Sequence, residues 1–242
     1  MSHEHSEHAA HANMTGFGAD RAAHYDAQAG VALAGVQAMY ELGVSALASR
    51  LDGQDAASVL FVGLGTAAEL VPYGRYDVPG WRFTGVDPSE AMLAVARERL
   101  AAEGLLARTH LHVGELRSLP PGPAFDGGQM LGVLHHVAPA ERLALLREVT
   151  RRLRPGAPLV VGCRVGMDAA LWEVELRRWR AHGVAREDLE RRRQAMATVH
   201  FVESDAALLD LFAQAGLVEP RPIFVSLQFK VFLVRCPPGA AG

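Results

Sequence analysis

The chain has 242 residues, half of them hydrophobic, which suffices for one α/β domain with a substantial core and is short for two full domains. The net charge is −3 at pH 7, so no overall field draws the protein to nucleic acid or to an anionic membrane. Two cysteines form no disulfide framework, and the pattern shows neither a signal peptide nor a bilayer-spanning run, so we predict a reducing, cytoplasmic compartment.

The first segment, residues 1–18, is a polar tail composed mainly of Ser, His, Glu, Ala and Gly without periodicity. Such a composition predicts disorder. Four histidines of this tail are close enough in sequence to converge loosely on a metal ion, namely His3, His5, His8 and His11. A solvated tail explains the same residues, so we assign no metal site.

Residues 19–51 carry apolar side chains at a broken helical period, which predicts helices. Gly30, Gly35 and Gly43 favour two or three short helices over one long helix. We therefore expect a helical cap that closes over a ligand of the main domain, with Tyr25 near its start.

From residue 58 the pattern alternates between strands and helices. We predict strands near 58–63, 81–86, 108–113, 125–131 and 158–164, and helices near 66–73, 88–103 and 139–153. Alternating βα units of this length imply a parallel, doubly wound sheet. Ligands of such sheets bind beyond the carboxyl ends of the strands, where the strand order reverses.

The first strand ends in a glycine turn. Residues 58–63 form an apolar run that ends in Gly63-Leu64-Gly65 and passes directly into a segment that favours a helix. Glycines allow a sharp turn close to a ligand, and the N–H groups of a new helix favour electron-rich groups. Asp87 ends the second strand about twenty residues later, where an acid can accept hydrogen bonds from ribose hydroxyls. These features predict an adenosine-containing cofactor across the two strand ends.

Residues 166–200 interrupt the alternation with a charged segment that contains Trp172 and Trp179. Oppositely charged residues four positions apart favour helices here. The basic run 191–193 stands among acidic residues, which is typical of a solvated, salt-bridged face, although contact with a substrate or nucleic acid stays open. An insertion after the fifth strand lies above the carboxyl ends of the sheet, so we predict a lid.

The chain ends with a helix and a hairpin. Ser204 is predicted to cap a helix that stops near Gly216. Two strand-like runs follow at about 218–226 and 227–235, and their short connection favours antiparallel pairing. Residues 19–242 therefore form one predicted domain, which includes the cap and the lid.

Several blocks of this sequence, in this order, resemble the class I S-adenosylmethionine-dependent methyltransferases. They are the glycine turn, WRFTGVDPSEAML at 81–93, GVLHHV at 132–137, LRPG at 153–156 and the terminal hairpin. The resemblance covers roughly residues 58–165 and 203–235. It implies a Rossmann-like, seven-stranded sheet with an antiparallel last strand, S-adenosyl-L-methionine as cofactor, and in-line methyl transfer to a small-molecule acceptor. A homodimer stays open, and the balanced charge gives no support to a nucleic-acid acceptor.

The resemblance also implies roles for individual residues. Gly63 and Gly65, with Thr66 beside them, would lie beneath the methionine and ribose parts of the cofactor, and Asp87 would bind the ribose hydroxyls. The other implied contacts are Pro88 and Met92 at the adenine, Glu115 and Leu116 after the third strand, and Leu131 and Gly132 at the methionine end.

His135 and His136 would lie near the reacting methyl group. A base is needed only if the acceptor loses a proton, and histidine titrates near neutral pH. Tyr25 is a further candidate for a contact in the reaction. A structural role is the alternative for these residues. The histidines are also typical of a helix start or of residues that line a cofactor site, and Trp172 and Trp179 are also suited to packing the lid onto the sheet.

Two departures from the family pattern concern the glycine turn. Phe61 stands where the family usually has an acid that helps to fix the amino end of methionine, and Ala67 stands where a third glycine is common. Tyr25, Tyr40 or the backbone of the N-terminal helix would have to compensate for the missing acid.

Other functions remain open at this stage. The segments His200-Phe201-Val202 and Gln228-Phe229 are similar to carboxy-S-adenosylmethionine synthases of the tRNA wobble-uridine pathway and their relatives. The missing acid motivates a non-catalytic protein that binds an S-adenosyl ligand. The glycine spacing also fits a permissive nicotinamide-dinucleotide fingerprint, and thus an NAD-dependent oxidoreductase, although the later blocks argue against it.

Overall fold

The computed structural model describes residues 19–76, 78–196, 199 and 201–238. The predicted tail 1–18, with its four histidines, and His200 of the segment 200–202 lie outside the described residues.

A seven-stranded sheet forms the centre of the molecule, with the strand order β3-β2-β1-β4-β5-β7-β6. The strands are β1 (Ser58–Val62), β2 (Arg82–Asp87), β3 (Thr109–Val113), β4 (Gly127–Leu131), β5 (Pro158–Arg164), β6 (Val218–Ser226) and β7 (Phe229–Arg235). The first five pair in parallel, whereas β7 runs antiparallel to both β5 and β6. The predicted doubly wound sheet and antiparallel ending are therefore confirmed.

Seven α-helices of the described residues surround this sheet. They are α1 (Ala19–Ala32), α2 (Val36–Arg50), α3 (Glu90–Ala102), α4 (Pro139–Arg152), α5 (Ala169–Ala181), α6 (Arg186–Met196) and α7 (Asp205–Gln214). Ser89 and Ser204 cap α3 and α7, since each hydroxyl accepts a hydrogen bond from a backbone N–H of the first turn. Short 3-10 helices follow several of the strands.

The predicted helix at 66–73 is wrong in type. The segment after the glycine turn is instead a 3-10 helix, Ala68–Arg75, which contains Pro72. Proline lacks the N–H that an α-helix requires, and its ring excludes the preceding turn of an α-helix. No regular α-helix therefore begins at the glycine turn, and the helix N-terminus expected there is replaced by a tighter turn.

Two apolar cores lie on the two faces of the sheet. One includes Leu146 and Val149 of α4 together with Leu208 and Phe212 of α7. The other packs α2, α3 and the 3-10 helix Ala68–Arg75 against the opposite face.

The predicted N-terminal cap divides into two helices with different roles. Gly35, at φ 80°, makes the break between them. Helix α2 is a core element, because Val44 and Leu47 are fully buried against the sheet. Helix α1 instead lies next to α3 and the lid, with Asp26 directed at the glycine turn. Only α1 is therefore placed like a cap over a ligand.

The insertion after β5 leaves the sheet and returns to it at the same place. The chain segments on either side of it pair with each other, since Val202 donates to the carbonyl of Arg164 at 3.2 Å and Gly166 donates to that of Val202 at 2.7 Å. Helices α5 and α6 lie between these points. The insertion thus begins and ends at the carboxyl end of β5, and its function as a lid stays a prediction.

Within the described ranges, no single helix has the length and apolar composition that a membrane crossing requires. The pair His24–Ala32 and Val36–Arg50 meets the criterion only jointly, across a 92° bend. The two cysteines, Cys163 and Cys236, are buried free thiols.

Candidate functional site

The glycine turn and the acid of β2 meet at the carboxyl edge of the sheet. The amide of Gly65 donates to Oδ2 of Asp87 at 2.8 Å, and the amide of Ser89 donates to Oδ1 at 2.9 Å. Burial raises the pKa of Asp87, and these two hydrogen bonds partly offset the rise. The carboxylate is thus held in a fixed orientation with lone pairs left for further donors.

The backbone of the turn is shaped for close approach. Gly63 and Gly65 have φ values of 71° and 56°, and Ala67 has φ 58°. A side chain at Gly63 would strike Val133, whereas no described atom lies within 4 Å of the position that a Cβ at Gly65 would take. Gly65 therefore leaves room for a ligand directly above the turn.

The predicted adenine side lies beside this turn. Met92 is buried in the first turn of α3 and is held there by the cap at Ser89. Leu116 is buried as well, while Pro88 and Glu115 are half-buried, and the Glu115 carboxylate pairs with Arg117 at 2.6 Å. The structure therefore places the predicted adenine contacts at the ends of β2 and β3, next to Asp87.

A clamp that the sequence pattern did not reveal joins α1 to the glycine turn. The hydroxyl of Thr66 donates to Oδ1 of Asp26 at 2.7 Å. Arg99 of α3 donates to the carbonyl and the hydroxyl oxygen of Thr66 at 2.7 and 2.9 Å, and it forms an ion pair with Asp26. We call these three residues the Asp26–Thr66–Arg99 clamp. It fixes α1 over the turn.

The methionine end of the predicted site is formed by the end of β4. Leu131 is buried, and Gly132 has φ 77°. The next residues form a short 3-10 helix, Leu134–His136, which carries both predicted histidines. Their rings lie against each other, with centroids 4.3 Å apart. The structure therefore places both histidines in one loop after β4, and their role at the reacting methyl group stays a prediction.

The two histidines differ in environment. His135 is buried, and desolvation first, then the neighbouring His136, Arg164 and Arg142, hold its pKa well below the usual value. Its Nδ1 faces the amide of Arg164 at 3.4 Å, which favours the tautomer with the proton on Nε2. His136 is only half-buried. His135 is therefore a neutral, buried residue, and His136 is the more exposed of the two histidines.

Arg142, which the sequence analysis missed, anchors the histidine loop. Its side chain is 1% exposed. Its Nε donates to the carbonyls of Leu134 and Val137 at 3.1 and 3.3 Å, and one Nη donates to the carbonyl of Phe201 at 3.2 Å. One buried guanidinium therefore links the loop after β4 to the segment that leaves the lid.

The lid is fixed to both the sheet and α1. Glu175 of α5 binds Arg164 at the end of β5. Arg178, one turn further along α5, donates to the carbonyls of Val31 and Gly30 at 3.2 and 3.4 Å. Trp172 and Trp179 are buried on the same helix, so they pack the lid onto the protein. Helix α1, the lid and the end of β5 are thus joined to one another.

Tyr25 and Tyr40 lie on the α1–α2 side of the site. Tyr25 is half-buried, and Tyr40 is buried. Desolvation raises the pKa of Tyr40, and Glu69 and Tyr25 add to the rise. Tyr40 thus stands between the surface residues of α1 and a buried acid, Glu69, for which no role was predicted.

Phe61, the apolar residue in place of the expected acid, is fully buried. Its ring contacts Tyr73 and Phe83 edge-on, with centroids 5.9 and 6.1 Å apart. Among the described residues, no group of three His, Cys, Asp or Glu side chains is placed to hold a metal ion.

Comparisons with known proteins agree with this geometry. Residues 59–156 match the family model of a methyltransferase domain. A demethylmenaquinone methyltransferase from Symbiobacterium thermophilum is 34% identical over 103 residues, which are 42% of this chain and 40% of that protein. An uncharacterised 37.1 kDa protein of a Streptomyces fradiae transposon is 35% identical over 120 residues, 49% of this chain and 33% of that protein. The chain thus spans well under half the length of both curated relatives.

Solved structures share the fold. The DhpI–SAH complex has a TM-score of 0.59 at 20% identity and covers 93% of this chain and 96% of its own. The cyclase SpnF has a TM-score of 0.61 at 19% identity, over 84% of this chain and 82% of its own. Residues 59–156 therefore resemble a methyltransferase domain, and the chain shares its fold with these two solved structures.

Proposed function

We propose that this protein is an S-adenosylmethionine-dependent methyltransferase that acts on a small-molecule acceptor bound between α1, the lid and the histidine loop. The hydrogen bond from Gly65 to Asp87, with open space above Gly65, carries the proposal. It joins the ends of β1 and β2 in the arrangement that an adenosine ligand requires. The matching methyltransferase domain supports the same conclusion.

The residues present fit this cofactor. Asp87 would accept hydrogen bonds from the ribose hydroxyls, and Met92 and Leu116 would flank the adenine. Gly63 and Gly65 would lie beneath the ribose and methionine parts, and Leu131 and Gly132 would line the methionine end. The cofactor supplies an activated methyl group on a sulfonium sulfur, so the protein contributes binding and orientation.

The protein's part in the reaction is to align the acceptor and exclude water. Alignment for in-line attack can lower a barrier by roughly 7–11 kcal/mol. Helix α1, held by the Asp26–Thr66–Arg99 clamp, and α5, held by Glu175 and Arg178, close the site from two sides. Where the acceptor loses a proton, His136 would accept it, because His135 is buried and turned toward a backbone amide.

Calorimetric titration with S-adenosylhomocysteine tests the cofactor site. We expect saturable binding to the wild-type protein and roughly 10–100-fold weaker binding to Asp87→Asn, since hydrogen bonds to a charged group contribute about 1.5–3 kcal/mol. Asp210→Asn, an exposed position on α7, is the matched control and should bind like the wild type. Absence of binding to the wild-type protein would overturn the proposal.

One observation favours an alternative, namely a protein that binds the S-adenosyl ligand but either catalyses another reaction or catalyses none. The cyclase SpnF shares this fold, so the fold by itself does not entail methyl transfer. A panel of O-, N-, S- and C-nucleophiles, with release of S-adenosylhomocysteine as the readout, separates the two. Tight binding without any product across the panel would favour the alternative.

Two further functions stay predictions with distinct tests. A carboxy-S-adenosylmethionine synthase would need a cation for the added carboxylate, and Arg164 beside His135 is already engaged by Glu175. Competition between carboxy-S-adenosylmethionine and S-adenosylmethionine for the protein measures which of the two cofactors it prefers. For the NAD-dependent oxidoreductase, saturable binding of NADH to the wild-type protein would be the supporting result. A homodimer, a cytoplasmic location and the exclusion of nucleic-acid acceptors also remain predictions.

A further inference from the structure

Three side chains of the second core form a buried polar cluster below the glycine turn. Glu69 is 5% exposed, and Tyr73 and Gln129 are fully buried. Four of their polar atoms have no hydrogen-bond partner in the described structure: Oε1 of Glu69, the hydroxyl of Tyr73, and both amide atoms of Gln129. Each orphaned buried polar group costs about 1–3 kcal/mol. Such a concentration within one cluster suggests a site rather than a structural contact.

The cluster lies in the sheet layer where an acid is expected. Phe61 of β1 and Gln129 of β4 are register partners in adjacent parallel strands, so their side chains share one face of the sheet. The Gln129 amide lies close enough to the Glu69 carboxylate to affect its pKa. Glu69 therefore brings a carboxylate, from the 3-10 helix after the glycine turn, to the layer in which Phe61 is apolar.

Helix α2 approaches the cluster from above. A Cβ placed on Gly43 would lie 2.8 Å from Oε1 of Gln129. The glycine therefore lets the helix backbone pass over the amide without covering it by a side chain. Tyr40, on the same helix, is close enough to Glu69 for the Glu69 carboxylate to raise the pKa of Tyr40. These contacts place the cluster between the sheet and α2.

Among the described residues, no basic side chain shifts the pKa of Glu69. The pKa of this group is raised to about 8, because burial raises it most, the Gln129 side chain offsets part of the rise, and the nearby Asp87 adds to it. A buried carboxylate without a cation is costly, and the neighbouring titratable groups, Tyr40, Tyr73 and Asp87, are all acids. Without a ligand the cluster therefore favours the neutral form of Glu69, and a compact positive charge would allow this group to ionise.

The unfilled hydrogen-bond acceptors of the cluster limit the chemical class of the ligand. The cluster offers three unfilled acceptors, which are a carboxylate oxygen, an amide oxygen and a phenolic oxygen. A primary ammonium group carries three N–H donors and one positive charge. An anion would oppose the ionisation of Glu69, and a neutral hydroxyl would bring no positive charge to offset it. An ammonium group satisfies both the charge and the acceptors.

We propose that Glu69, together with Gln129 and Tyr73, binds a primary ammonium group, namely the α-ammonium of the methionine part of the cofactor. The proposal rests on the proposed function, because that function supplies the ligand. It assigns to a residue of the 3-10 helix the task that the apolar Phe61 cannot perform. Glu69 is thereby a binding residue that determines specificity for amino-acid-bearing S-adenosyl ligands.

The experiment compares three probes by calorimetric titration of the full chain at pH 7. S-Adenosylhomocysteine has the ammonium group, S-adenosyl-4-thiobutyrate lacks only that group, and 5′-methylthioadenosine lacks the whole amino-acid part. For the wild-type protein we expect S-adenosylhomocysteine to bind at least about 30-fold more tightly than the thiobutyrate, since losing one partner of a buried charge pair costs that much or more.

The isosteric variant Glu69→Gln tests the residue. We expect it to lose at least about 30-fold in affinity for S-adenosylhomocysteine while its affinity for the two amine-free probes changes less than about threefold. Glu98→Gln, an exposed position on α3, is the matched control and should behave like the wild type. A merely structural role of Glu69 would change the affinity for all three probes alike.

Proton release provides a second readout that needs no variant. With a pKa of about 8, Glu69 is mostly protonated at pH 7 and must ionise to pair with an ammonium group. Titrations of the wild-type protein in buffers of different ionisation enthalpy should therefore show release of close to one proton per S-adenosylhomocysteine bound. The thiobutyrate should release none from this group, and the release should disappear in Glu69→Gln.

The outcomes separate this inference from the function on which it rests. If the wild-type protein binds none of the probes, the proposed function fails, and this inference fails with it. If it binds S-adenosylhomocysteine and the thiobutyrate equally, or if Glu69→Gln keeps the wild-type discrimination, only the Glu69 assignment is overturned. If the variant does not fold, two measurements on the wild-type protein still test the proposal. They are its preference for S-adenosylhomocysteine over the thiobutyrate and its proton release on binding, and absence of either contradicts the proposal.

Discussion

The guanidinium group of Arg164 and the carboxylate of Glu175 form a two-pronged ion pair, with both nitrogen–oxygen distances at 2.8 Å. The side chains are 14% and 3% exposed. The pair joins the last residue of β5 to the middle of α5, so it connects the sheet to the lid. Because Arg164 also contacts the His135 ring through its amide, the same residue relates the lid to the histidine loop.

Breaking this pair should loosen the lid. In Glu175→Gln the buried guanidinium loses its counter-charge, and we expect the free energy of unfolding to fall by about 3 kcal/mol. Urea denaturation measures the loss, and hydrogen exchange should show faster opening of α5. Glu173→Gln, an exposed position on the same helix whose ion pair is solvated, should cost less than about 1 kcal/mol. Equal effects of the two variants would contradict the anchoring role.

Alanine at Gly65 should weaken ligand binding beyond its effect on stability. Gly65 and Gly104 have φ values of 56° and 67°, and a Cβ at either position meets no described atom within 4 Å. Both substitutions should cost roughly 1–2 kcal/mol in backbone strain. Only Gly65→Ala places a methyl group in the proposed cofactor space, so only it should reduce the affinity for S-adenosylhomocysteine, by at least about tenfold. Similar affinities for both variants would place the ligand elsewhere.

Removing the buried acid should stabilise the protein in a pH-dependent manner. The pKa of Glu69 rises from 4.5 to about 8 on folding, so the wild-type protein loses stability as the pH rises from about 4.5 to about 8. Glu69→Gln lacks this loss. We expect little difference between variant and wild type near pH 4.5 and a gain of roughly 1–3 kcal/mol at pH 8, since one pKa unit corresponds to about 1.4 kcal/mol.

Chemical denaturation of the ligand-free protein at the two pH values measures this difference. The titration of groups that do not interact with Glu69, including His135, is common to both proteins and cancels in the comparison. Glu98→Gln should give the same small difference at both pH values. A variant that is less stable than the wild type at pH 8 would show that Glu69 has a compensating partner in the ligand-free protein.

The two histidines should respond differently to substitution. His136→Ala should lower turnover by about 100-fold or more for an acceptor that loses a proton, with the affinity for S-adenosylhomocysteine within about threefold of the wild type. His135→Ala should instead lower the stability, because a buried ring packed against Phe229 is removed. Steady-state kinetics with an acceptor from the panel, beside thermal unfolding, separates the effects. Unchanged turnover in His136→Ala would remove this residue from the mechanism.

Local patterns predicted those parts of the fold that depend on neighbours in the sequence. The strand preceding Gly63 and the one ending at Asp87 were recognisable because an apolar run followed by a turn specifies its own local structure. The helix predicted at 66–73 was wrong in type, since Pro72 within it converts the segment to a 3-10 helix. The proline was visible in the sequence, but how the chain would accommodate it depended on packing.

The chemical role of Glu69 could not be read in the same way. An acid in a helical segment is typical of a solvated face, and nothing nearby in the sequence marks this one as buried. Its burial results from Gln129 of β4 and from α2, which lie far from it along the chain. Arg142 and Arg164 are similar cases, because an arginine rarely lacks solvent unless its partners come from several elements.

The sequence by itself determined the order of strands and helices and the glycine turn with its acid, and thereby the prediction of an adenosine-containing cofactor, because each follows from residues close together in the chain. Only the tertiary structure decided that α2 is core and α1 covers the site, that Asp26, Thr66 and Arg99 form one clamp, and that a carboxylate lies beneath the turn. The contact between Arg178 and Val31 spans 147 positions. Such contacts depend on how whole elements pack, which local patterns do not specify.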